Sequence, residues 1–345
     1  MAQQTYVKVA GVWKPVISVW CKSGGIWKAN NIPYVCKSGA WKKCMSYNDA
    51  DFIYTSSWVN ENITTRKYNS RGVLLWSANL GELIRKFAVD SSGNIYVVRS
   101  SAASGDFIEK YNSEGELTWS VNVENYLTCI AIDLNGNVYA GGQPTSDNPV
   151  STWKYNSEGE LQWAENHGSL LFGIAVDSSG NVYTGGGRTN SITTRKYNSE
   201  GVLQWSVDHG SYVDAIAVDS NGNVYTGGNR INSITTRKYN SEGELQWSVD
   251  HGRVVHCITV DSSGNVYTGG IQNVNRTTRK YNPEGVLQWS VDHGSSVYDI
   301  AVDEAGNVYT GGFRINNITT RKYNSEGKLR WSVDCGSTIF GIAIL

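Results

Sequence analysis

Two phrases recur along this chain at a nearly constant interval, and no other feature of the sequence restricts its fold as strongly. The phrase Ile-Ala-Val-Asp, followed by Gly-Asn-Val-Tyr, recurs at intervals of 43, 44, 42, 42 and 42 residues and has its aspartate at Asp90, Asp133, Asp177, Asp219, Asp261 and Asp303. The phrase Lys-Tyr-Asn-Ser-Glu-Gly-x-Leu-x-Trp, with substitutions, ends at Trp76, Trp119, Trp163, Trp205, Trp247, Trp289 and Trp331. Such a period predicts an array of similar structural units.

Each repeat predicts four short strands joined by tight turns. In the repeat around Asp219 the predicted strands are Ile216–Val218, Asn223–Thr226, Ile234–Tyr239 and Leu245–Val249. Glycine recurs in the turns Asp-Ser-Asn-Gly and Asn-Ser-Glu-Gly, where it supplies backbone angles that other residues reach only with strain. Four strands in about 40–45 residues are typical of a β-propeller blade.

The two ends of the chain predict how the ring of blades closes. The tyrosine of the second strand occurs seven times, at Tyr54, Tyr96, Tyr139, Tyr183, Tyr225, Tyr267 and Tyr309. Tyr54 has no first strand before it, whereas residues 342–345 form a first strand with no blade after it. We therefore predict an all-β, seven-bladed propeller in which the C-terminal strand completes the blade of residues 52–77, which removes open sheet edges.

The formal net charge of −1 conceals two unlike parts. Residues 1–48 contain seven lysines and no Asp, Glu or Arg, so they carry about +7 and the remainder carries −8. The same residues hold four of the 13 tryptophans and three of the six cysteines. This shift in composition predicts a basic, Trp-rich anchor segment of residues 1–48, with some β structure, before a propeller of residues 49–345.

Several protein classes are excluded by composition. With 18% charged and 40% hydrophobic residues, the chain is neither a polyelectrolyte nor a disordered protein. No apolar run approaches the roughly 18–20 residues that cross a bilayer, and the N-terminus lacks the basic and apolar regions of a secretory signal. We therefore expect no membrane insertion, and reduced cysteines at synthesis.

The repeats resemble a known family. The stretch Ile174-Ala-Val-Asp-Ser-Ser-Gly-Asn-Val-Tyr-Thr-Gly-Gly is similar to the seven-bladed β-propeller repeat abbreviated SBBP, which occurs in bacterial and phage proteins and has no single activity. The stretches Gly11-Val-Trp13-Lys14, Ile26-Trp27-Lys28 and Gly39-Ala-Trp41-Lys42 resemble Gly-x-Trp-Lys repeats at the ends of tailed-bacteriophage virion proteins. The resemblance implies a virion protein whose anchor residues are Trp13, Trp20, Trp27, Trp41, Lys14, Lys28 and Lys42.

Residues that recur in all blades are interpreted as structural. We expect the recurring aspartate to cap the turn between the first and second strands, because the bidentate Glu of a calcium loop is missing. His167, His209, His251 and His293 lie at one point of different blades, too far apart for one metal, and we expect a turn or inter-blade role. No Cys-x-x-Cys occurs. We expect neither a metal nor another cofactor.

One position varies in every blade. Five residues before the recurring aspartate the chain has Arg85, Thr128, Phe172, Asp214, His256, Tyr298 and, in the closing blade, Phe340, each preceded by an aliphatic residue. A constant neighbour beside a diverse position predicts a varied ring at the mouth of the channel, on the face that we call the top. The top-face loops add Trp58, Arg99, Arg188, Arg230, Phe313 and Arg314 as candidate binding residues. Drift on an unused surface is the alternative interpretation.

Three functions are compatible with these patterns. We predict a non-enzymatic virion protein, a tail-associated fibre or a capsid decoration, that is held by residues 1–48 and binds a host-surface glycan or protein with its top face. The alternative is a propeller lyase or hydrolase acting on host polysaccharide, with Asp214, His256 and Tyr298 as the candidate acid–base set. Nucleic-acid binding through residues 1–48 is disfavoured by the acidic propeller.

Overall fold

The structure is a computed structural model. It describes residues 52–57, 65–80, 84–101, 105–146, 148–166, 168–189, 192–232, 234–271, 278–335 and 337–345, and the backbone of six strands nearer the N-terminus. The chain divides into two compact units, Met1–Asp49 and Ala50–Leu345. The described residues contain no helix that could cross a membrane.

The first unit contains three antiparallel strand pairs. These are β1 (Tyr6–Val9) with β2 (Val12–Pro15), β3 (Val19–Ser23) with β4 (Ile26–Asn30), and β5 (Tyr34–Lys37) with β6 (Ala40–Lys43). Each Gly-x-Trp-Lys motif places its tryptophan in the second strand of a pair, opposite Lys8, Lys22 or Cys36.

The second unit is built from strands in groups of four. The first groups are β7 (Phe52–Ser57), β8 (Thr65–Asn69) and β9 (Leu74–Ala78); β10 (Ile84–Val89), β11 (Ile95–Ser101), β12 (Gly105–Tyr111) and β13 (Leu117–Val123); and β14 (Tyr126–Ile132), β15 (Val138–Gln143), β16 (Thr152–Tyr155) and β17 (Leu161–Glu165). The next groups are β18 (Leu171–Val176), β19 (Val182–Thr189), β20 (Ile192–Tyr197) and β21 (Leu203–Val207); and β22 (Val213–Val218), β23 (Val224–Ile231), β24 (Ile234–Tyr239) and β25 (Leu245–Val249). The last groups are β26 (Val254–Val260), β27 (Val266–Ile271), β28 (Thr278–Tyr281) and β29 (Leu287–Val291); and β30 (Val297–Val302), β31 (Val308–Ile315), β32 (Ile318–Tyr323) and β33 (Leu329–Val333), followed by the single strand β34 (Ile339–Ile344).

The strands form seven blades in the described part of the chain. Blade 1 has the order β34-β7-β8-β9, and blades 2 to 7 follow along the chain with consecutive strands paired antiparallel. A single bridge between Asn229 and Val254 also joins blades 5 and 6. The predicted seven-bladed propeller is confirmed, because this part of the chain forms seven four-stranded antiparallel blades, one of which combines β34 with β7, β8 and β9.

The closure of the ring is confirmed by the register of blade 1. Strand β34 pairs with β7 from Ile339 opposite Ser57 to Ile344 opposite Ile53. The backbones of Phe52 and Leu345 exchange two hydrogen bonds of 3.1 and 3.0 Å. The first and last strands of the propeller therefore complete one sheet, and their ends lie side by side.

The recurring aspartate caps its turn as expected. In blade 2, Asp90 Oδ1 accepts hydrogen bonds from the backbone N–H groups of Ser92 and Asn94. Its Oδ2 accepts from the Asn94 amide and, at 3.0 Å, from the hydroxyl of Tyr96 on the second strand. The turn lies on the face opposite the top, which we call the bottom, and the same aspartate–tyrosine bond recurs in blades 3 to 7.

Adjacent blades are joined near the bottom by the conserved tryptophan of the outer strand. Trp119 Nε1 donates to the backbone oxygen of Ser157 in the next blade at 3.0 Å, and its ring lies against Gly159 of the same turn. The corresponding bond is made by Trp163, Trp205, Trp247, Trp289 and Trp331. This contact fixes the spacing of the blades and thereby the width of the central channel.

Candidate functional site

The varied position occupies a β-bulge in every blade. The pairing of the first and second strands shifts by one residue at Arg85, Thr128, Phe172, Asp214, His256, Tyr298 and Phe340. A bulge leaves one residue without a cross-strand partner and redirects its side chain. Because the bulge recurs seven times, the fold aims seven side chains of six residue types at the same level of the channel.

These seven side chains line one cavity at the top of the channel. Its volume is about 670 Å³, and its other lining residues are Ile84, Lys86, Tyr126 and Leu127. The aliphatic residue before each ring position is at most 3% exposed, so a packed scaffold holds the ring, as predicted. A cavity of this size can hold a ligand of one to a few sugar rings.

One correction to the sequence interpretation follows from these bulges. The strand pattern predicted that the first strand begins after the ring position, at Ile216 in blade 5, whereas β22 begins at Val213 and includes Asp214. Cys129 and Cys257, which follow the ring position in blades 3 and 6, likewise lie within β14 and β26. The bulge accounts for the difference because it interrupts the alternation of buried and open positions by which a strand is identified.

Aromatic side chains form a continuous part of the cavity wall across blades 6, 7 and 1. The rings of His256 and Tyr298 have centroids 5.6 Å apart, and those of Tyr298 and Phe340 are stacked at 5.4 Å. Phe172, in blade 4, packs edge-to-face on Tyr212 at 6.3 Å. Such surfaces suit the C–H groups of sugars as well as apolar side chains.

Asp214 and His256, on adjacent blades, form the polar part of that wall. Asp214 Oδ2 lies 3.9 Å from His256 Nδ1. Burial raises the pKa of Asp214 to about 6, and the Lys86 ammonium acts against this rise. Burial and the same ammonium both lower the pKa of His256. At neutral pH the pair therefore consists of a carboxylate, which protonates easily, beside a neutral imidazole.

Arg85 lies across the ring from Asp214 and His256 and is held in place by neighbouring side chains of blades 2 and 3. Its guanidinium carbon lies 3.7 Å from the centroid of the Tyr126 ring, and Nη2 donates to Ser100 at 2.8 Å. Nε lies 3.9 Å from the carboxylate of Asp106. Arg85 therefore contributes a positive rim to the cavity in a fixed orientation.

A second layer, which the sequence interpretation missed, lies one residue further along each first strand. It consists of Lys86, Cys129, Gly173, Ala215, Cys257, Asp299 and Gly341. Five of these residues are small and lie against the adjacent blades, and Lys86 is the member of the layer that lines the cavity. The electrostatic effect of the Lys86 ammonium reaches groups on blades 3, 5, 6 and 7, which places it near the channel axis. The signal in the sequence was a single long cation at a position of otherwise short side chains.

Asp299 is the acidic member of this layer. Its carboxylate accepts backbone hydrogen bonds from Ile300 at 2.9 Å and from Ile342 at 2.8 Å, so it ties blade 7 to blade 1. Burial raises its pKa, and Lys86 and the two backbone donors oppose that rise. Asp299 thus joins two blades, and its carboxylate already accepts two hydrogen bonds from the backbone.

Of the predicted loop residues, the four whose side chains the structure describes, Arg99, Arg188, Phe313 and Arg314, do not line the cavity. Arg99 forms a 2.8 Å ion pair with the buried Glu109, and Arg188 and Arg314 form ion pairs of 2.7 and 2.6 Å with Asp208 and Asp334. Phe313 is 52% exposed. Trp58 and the side chain of Arg230 lie outside the described residues, as do the side chains of the anchor residues.

Nothing in the described residues assembles a metal site, since no group of three or more His, Cys, Asp or Glu side chains converges. Cys129 and Cys257 are almost fully buried, and burial raises the pKa of the Cys129 thiol to about 12. Their thiols are therefore protonated and unreactive at neutral pH. The chemistry of the site rests on Asp214, His256, Tyr298, Lys86 and Arg85.

Comparison with solved structures identifies the same architecture. A functionally unknown protein from Desulfotomaculum acetoxidans matches with a TM-score of 0.68 and 14% identity over 85% of this chain and 98% of that one. Virginiamycin B lyase from Staphylococcus aureus matches with a TM-score of 0.58 and 12% identity over 72% and 83%. The WD40 β-propeller domain of Doa1 matches with a TM-score of 0.59 and 14% identity over 76% and 86%.

The chain is a β-propeller repeat protein. At these identities the likeness concerns the fold alone. No protein-family model and no curated protein matches the sequence.

Proposed function

We propose that this protein is a non-enzymatic binding protein of a bacteriophage virion, either a tail-associated fibre or a capsid decoration. In this proposal residues 1–48 attach it to other virion proteins, and the cavity at the top of the propeller binds a host-surface glycan or protein. The observation that carries the proposal is the ring of seven side chains of six residue types, each aimed into one cavity by a bulge.

The diversity of the ring supports recognition over a purely structural role. The side chains that cap the turns and those that join the blades recur from blade to blade, as the aspartate–tyrosine and tryptophan contacts show. The ring positions share a backbone geometry but hold six different residue types. A repeated scaffold that presents such varied groups suits a ligand without sevenfold symmetry.

The composition of residues 1–48 supports the anchor. Seven lysines and four tryptophans in a short segment provide hydrophobic contacts and charge complementarity toward an acidic partner. The resemblance of its Gly-x-Trp-Lys motifs to those of tailed-phage proteins is the basis for choosing a virion as the place of attachment.

The test is binding of the full-length protein to an array of bacterial glycans and to host cells. The triple variant Asp214→Ala, His256→Ala and Tyr298→Ala is expected to weaken attachment more than tenfold, about 1.4 kcal/mol. Leu134→Ala, in an 80% exposed position of a bottom turn, is the control and should bind normally. Unchanged attachment by a triple variant that melts like the parent would place the binding site elsewhere.

A second candidate function is favoured by the Asp214–His256 pair. A carboxyl group with a pKa of about 6, 3.9 Å from an imidazole whose ring packs against that of Tyr298, provides the groups that a glycan lyase or hydrolase needs. Incubation with the bound polysaccharide separates the two functions. Release of shortened or unsaturated products, lost on Asp214→Asn, would support the enzyme, whereas binding without turnover supports the binding protein.

A further inference from the structure

The top cavity contains a positive charge that is not paired with a carboxylate in the described part of the protein. Lys86 is partly buried and lines the cavity. Among the described residues, no carboxylate oxygen lies within the 4.0 Å ion-pair distance of its Nζ. Lysine side chains enclosed by protein are ordinarily paired, because an enclosed ammonium loses much of its hydration. This ammonium therefore has hydrogen-bond donors to offer to a ligand.

The ammonium is accessible to a ligand because Lys86 is one of the residues that line the top cavity. The equivalent residues of blades 4, 5 and 1, Gly173, Ala215 and Gly341, face the adjacent blades and do not line this cavity. Arg85, on the same strand, adds a second cation at the rim, although Ser100 and Tyr126 hold it in place. A ligand that enters from the top meets the cations of blade 2 on one side of the ring.

The carboxylates of the channel do not take up this charge by direct pairing. Asp299 is engaged by the backbone N–H groups of Ile300 and Ile342. Asp214 lies beside His256, three blades away from Lys86 around the ring. A ligand of suitable size would thus contact the ammonium at one end and Asp214, a hydrogen-bond acceptor for hydroxyl groups, at the other.

We infer that the top cavity is specific for an acidic sugar, whose carboxylate pairs with Lys86 while its ring packs against the wall of His256, Tyr298 and Phe340. This inference rests on the proposed function and names the ligand class of the same cavity. The aromatic wall accounts for the sugar ring, the ammonium for the carboxylate, and Asp214 for hydroxyl groups on the far side.

The experiment compares three probes that share one sugar scaffold. The full-length protein is titrated with methyl β-glucuronide, methyl β-glucoside and methyl β-glucosaminide, which are acidic, neutral and basic, and Kd is measured by calorimetry or NMR. We expect the glucuronide to bind at least tenfold more tightly than the glucoside, because a charge-assisted hydrogen bond to its carboxylate contributes a free energy of that size. Lys86→Met should abolish that preference, so that the variant binds the glucuronide and the glucoside with equal Kd.

Matched controls separate the local charge from a general electrostatic effect. Lys328→Met removes the same charge from an ammonium-bearing side chain that is 74% exposed and should retain the preference for the glucuronide. Thermal melting of Lys86→Met establishes that the variant folds. Equal binding of the three probes, tighter binding of the glucosaminide, or a preference that survives Lys86→Met would overturn the inference.

The failure of this inference is distinguishable from that of the proposed function. Binding of neutral glycans from the array, lost in the triple ring variant, would overturn the acidic-sugar inference and keep the binding function. If none of the three probes binds, the inference fails, and the array with the ring variant decides the proposed function on its own.

Discussion

His209 Nδ1 lies 2.8 Å from Thr226 Oγ1 and thereby joins the end of blade 4 to the second strand of blade 5. The same contact joins His251 to Thr268 at 2.7 Å and His293 to Thr310 at 2.9 Å, and all three imidazoles are fully buried. The inter-blade role expected for these histidines is confirmed, while His167 lies outside the described residues. After blade 7, Cys335 takes the equivalent position and contacts the Tyr68 hydroxyl at 3.0 Å.

The buried histidines predict a loss of stability in mild acid. Burial lowers the pKa of His209 and of His293 to about 3, with a nearby arginine acting in the same direction. In the unfolded chain a histidine protonates near pH 6.5, so below that pH the unfolded state binds more protons and stability falls until about pH 3. At pH 5 each imidazole should lower the free energy of unfolding by about 2 kcal/mol.

The protein itself suggests the control for this prediction. The double variant His209→Cys and His293→Cys places at both sites the residue found at position 335, which does not titrate in acid. Its melting temperature should depend less on pH between 7.5 and 4.5 than that of the parent, whatever its value at neutral pH. Asp214 titrates alike in both proteins, so its effect cancels in the comparison. Parallel pH profiles would contradict the prediction.

The blade contacts were predictable from the sequence because the repeats act as an internal alignment. The strands Ile234–Tyr239 and Leu245–Val249 were predicted with their observed bounds, and the turn aspartates and inter-blade histidines have their expected roles. The ring of varied positions was also identified, because each member follows a constant aliphatic residue.

The features that the sequence did not predict depend on where side chains extend in three dimensions. The bulge at Asp214 has no signature in the sequence of β22, since six different residue types occupy the equivalent position of the seven blades. Lys86 was overlooked because residue spacing does not show that a side chain of one blade extends to the common axis of all seven. The pairing of Arg188 with Asp208 likewise brings together residues that no local pattern connects.

Two glycines in equivalent turns provide a test of the tryptophan contact between blades. Gly159 has φ of +87° and an added Cβ would lie 2.9 Å from the Trp119 ring, whereas Gly115 has φ of +85° and its nearest neighbour would be Ala78 at 3.8 Å. Both Gly→Ala variants bear the backbone strain of positive φ, about 1–2 kcal/mol. Gly159→Ala should lose a further 1–3 kcal/mol or so from overpacking.

Chemical denaturation of the two glycine variants measures the difference. The two turns differ in their contact with the tryptophan of the preceding blade. Trp119 donates a hydrogen bond to the turn of Gly159, whereas Nε1 of Trp76, the corresponding tryptophan for the turn of Gly115, has no partner among the described residues. Equal losses of stability would mean that the tryptophan contact does not restrain the blade spacing.

Removal of the C-terminal strand should destabilise the whole propeller. Deletion of Thr338–Leu345 takes away the inner strand of blade 1, including Ile339 and Ile342, which belong to its buried core. Loss of a strand should cost several kcal/mol, comparable to the stability of a whole domain. A synthetic peptide of residues 338–345 should raise the melting temperature of the truncated protein, and a scrambled peptide should not. A truncated protein that melts within a few degrees of the full chain would contradict this role of the strand.

The position of the propeller ends predicts which face the virion would hold. Phe52 and Leu345 are joined by two backbone hydrogen bonds, and Leu345 lies with Ser91, Ser92 and Gly93, in a bottom turn of blade 2, around a small cavity. Strand β7 therefore begins at the bottom of the propeller, and we expect the virion to hold the protein by this face and leave the top cavity facing outward.

Residues 49–345 produced alone test this assignment of roles. Because the buried clusters of the seven blades lie wholly within this part of the chain, we expect the shortened protein to fold and to retain any glycan binding. Without the lysines and tryptophans of residues 1–48 it should fail to join particles that lack the protein, since those side chains supply the contacts with an acidic partner. The full-length variant Lys14→Glu, Lys28→Glu and Lys42→Glu should show the same defect without loss of binding at the top cavity. Normal incorporation of residues 49–345 would show that the propeller itself carries the attachment surface.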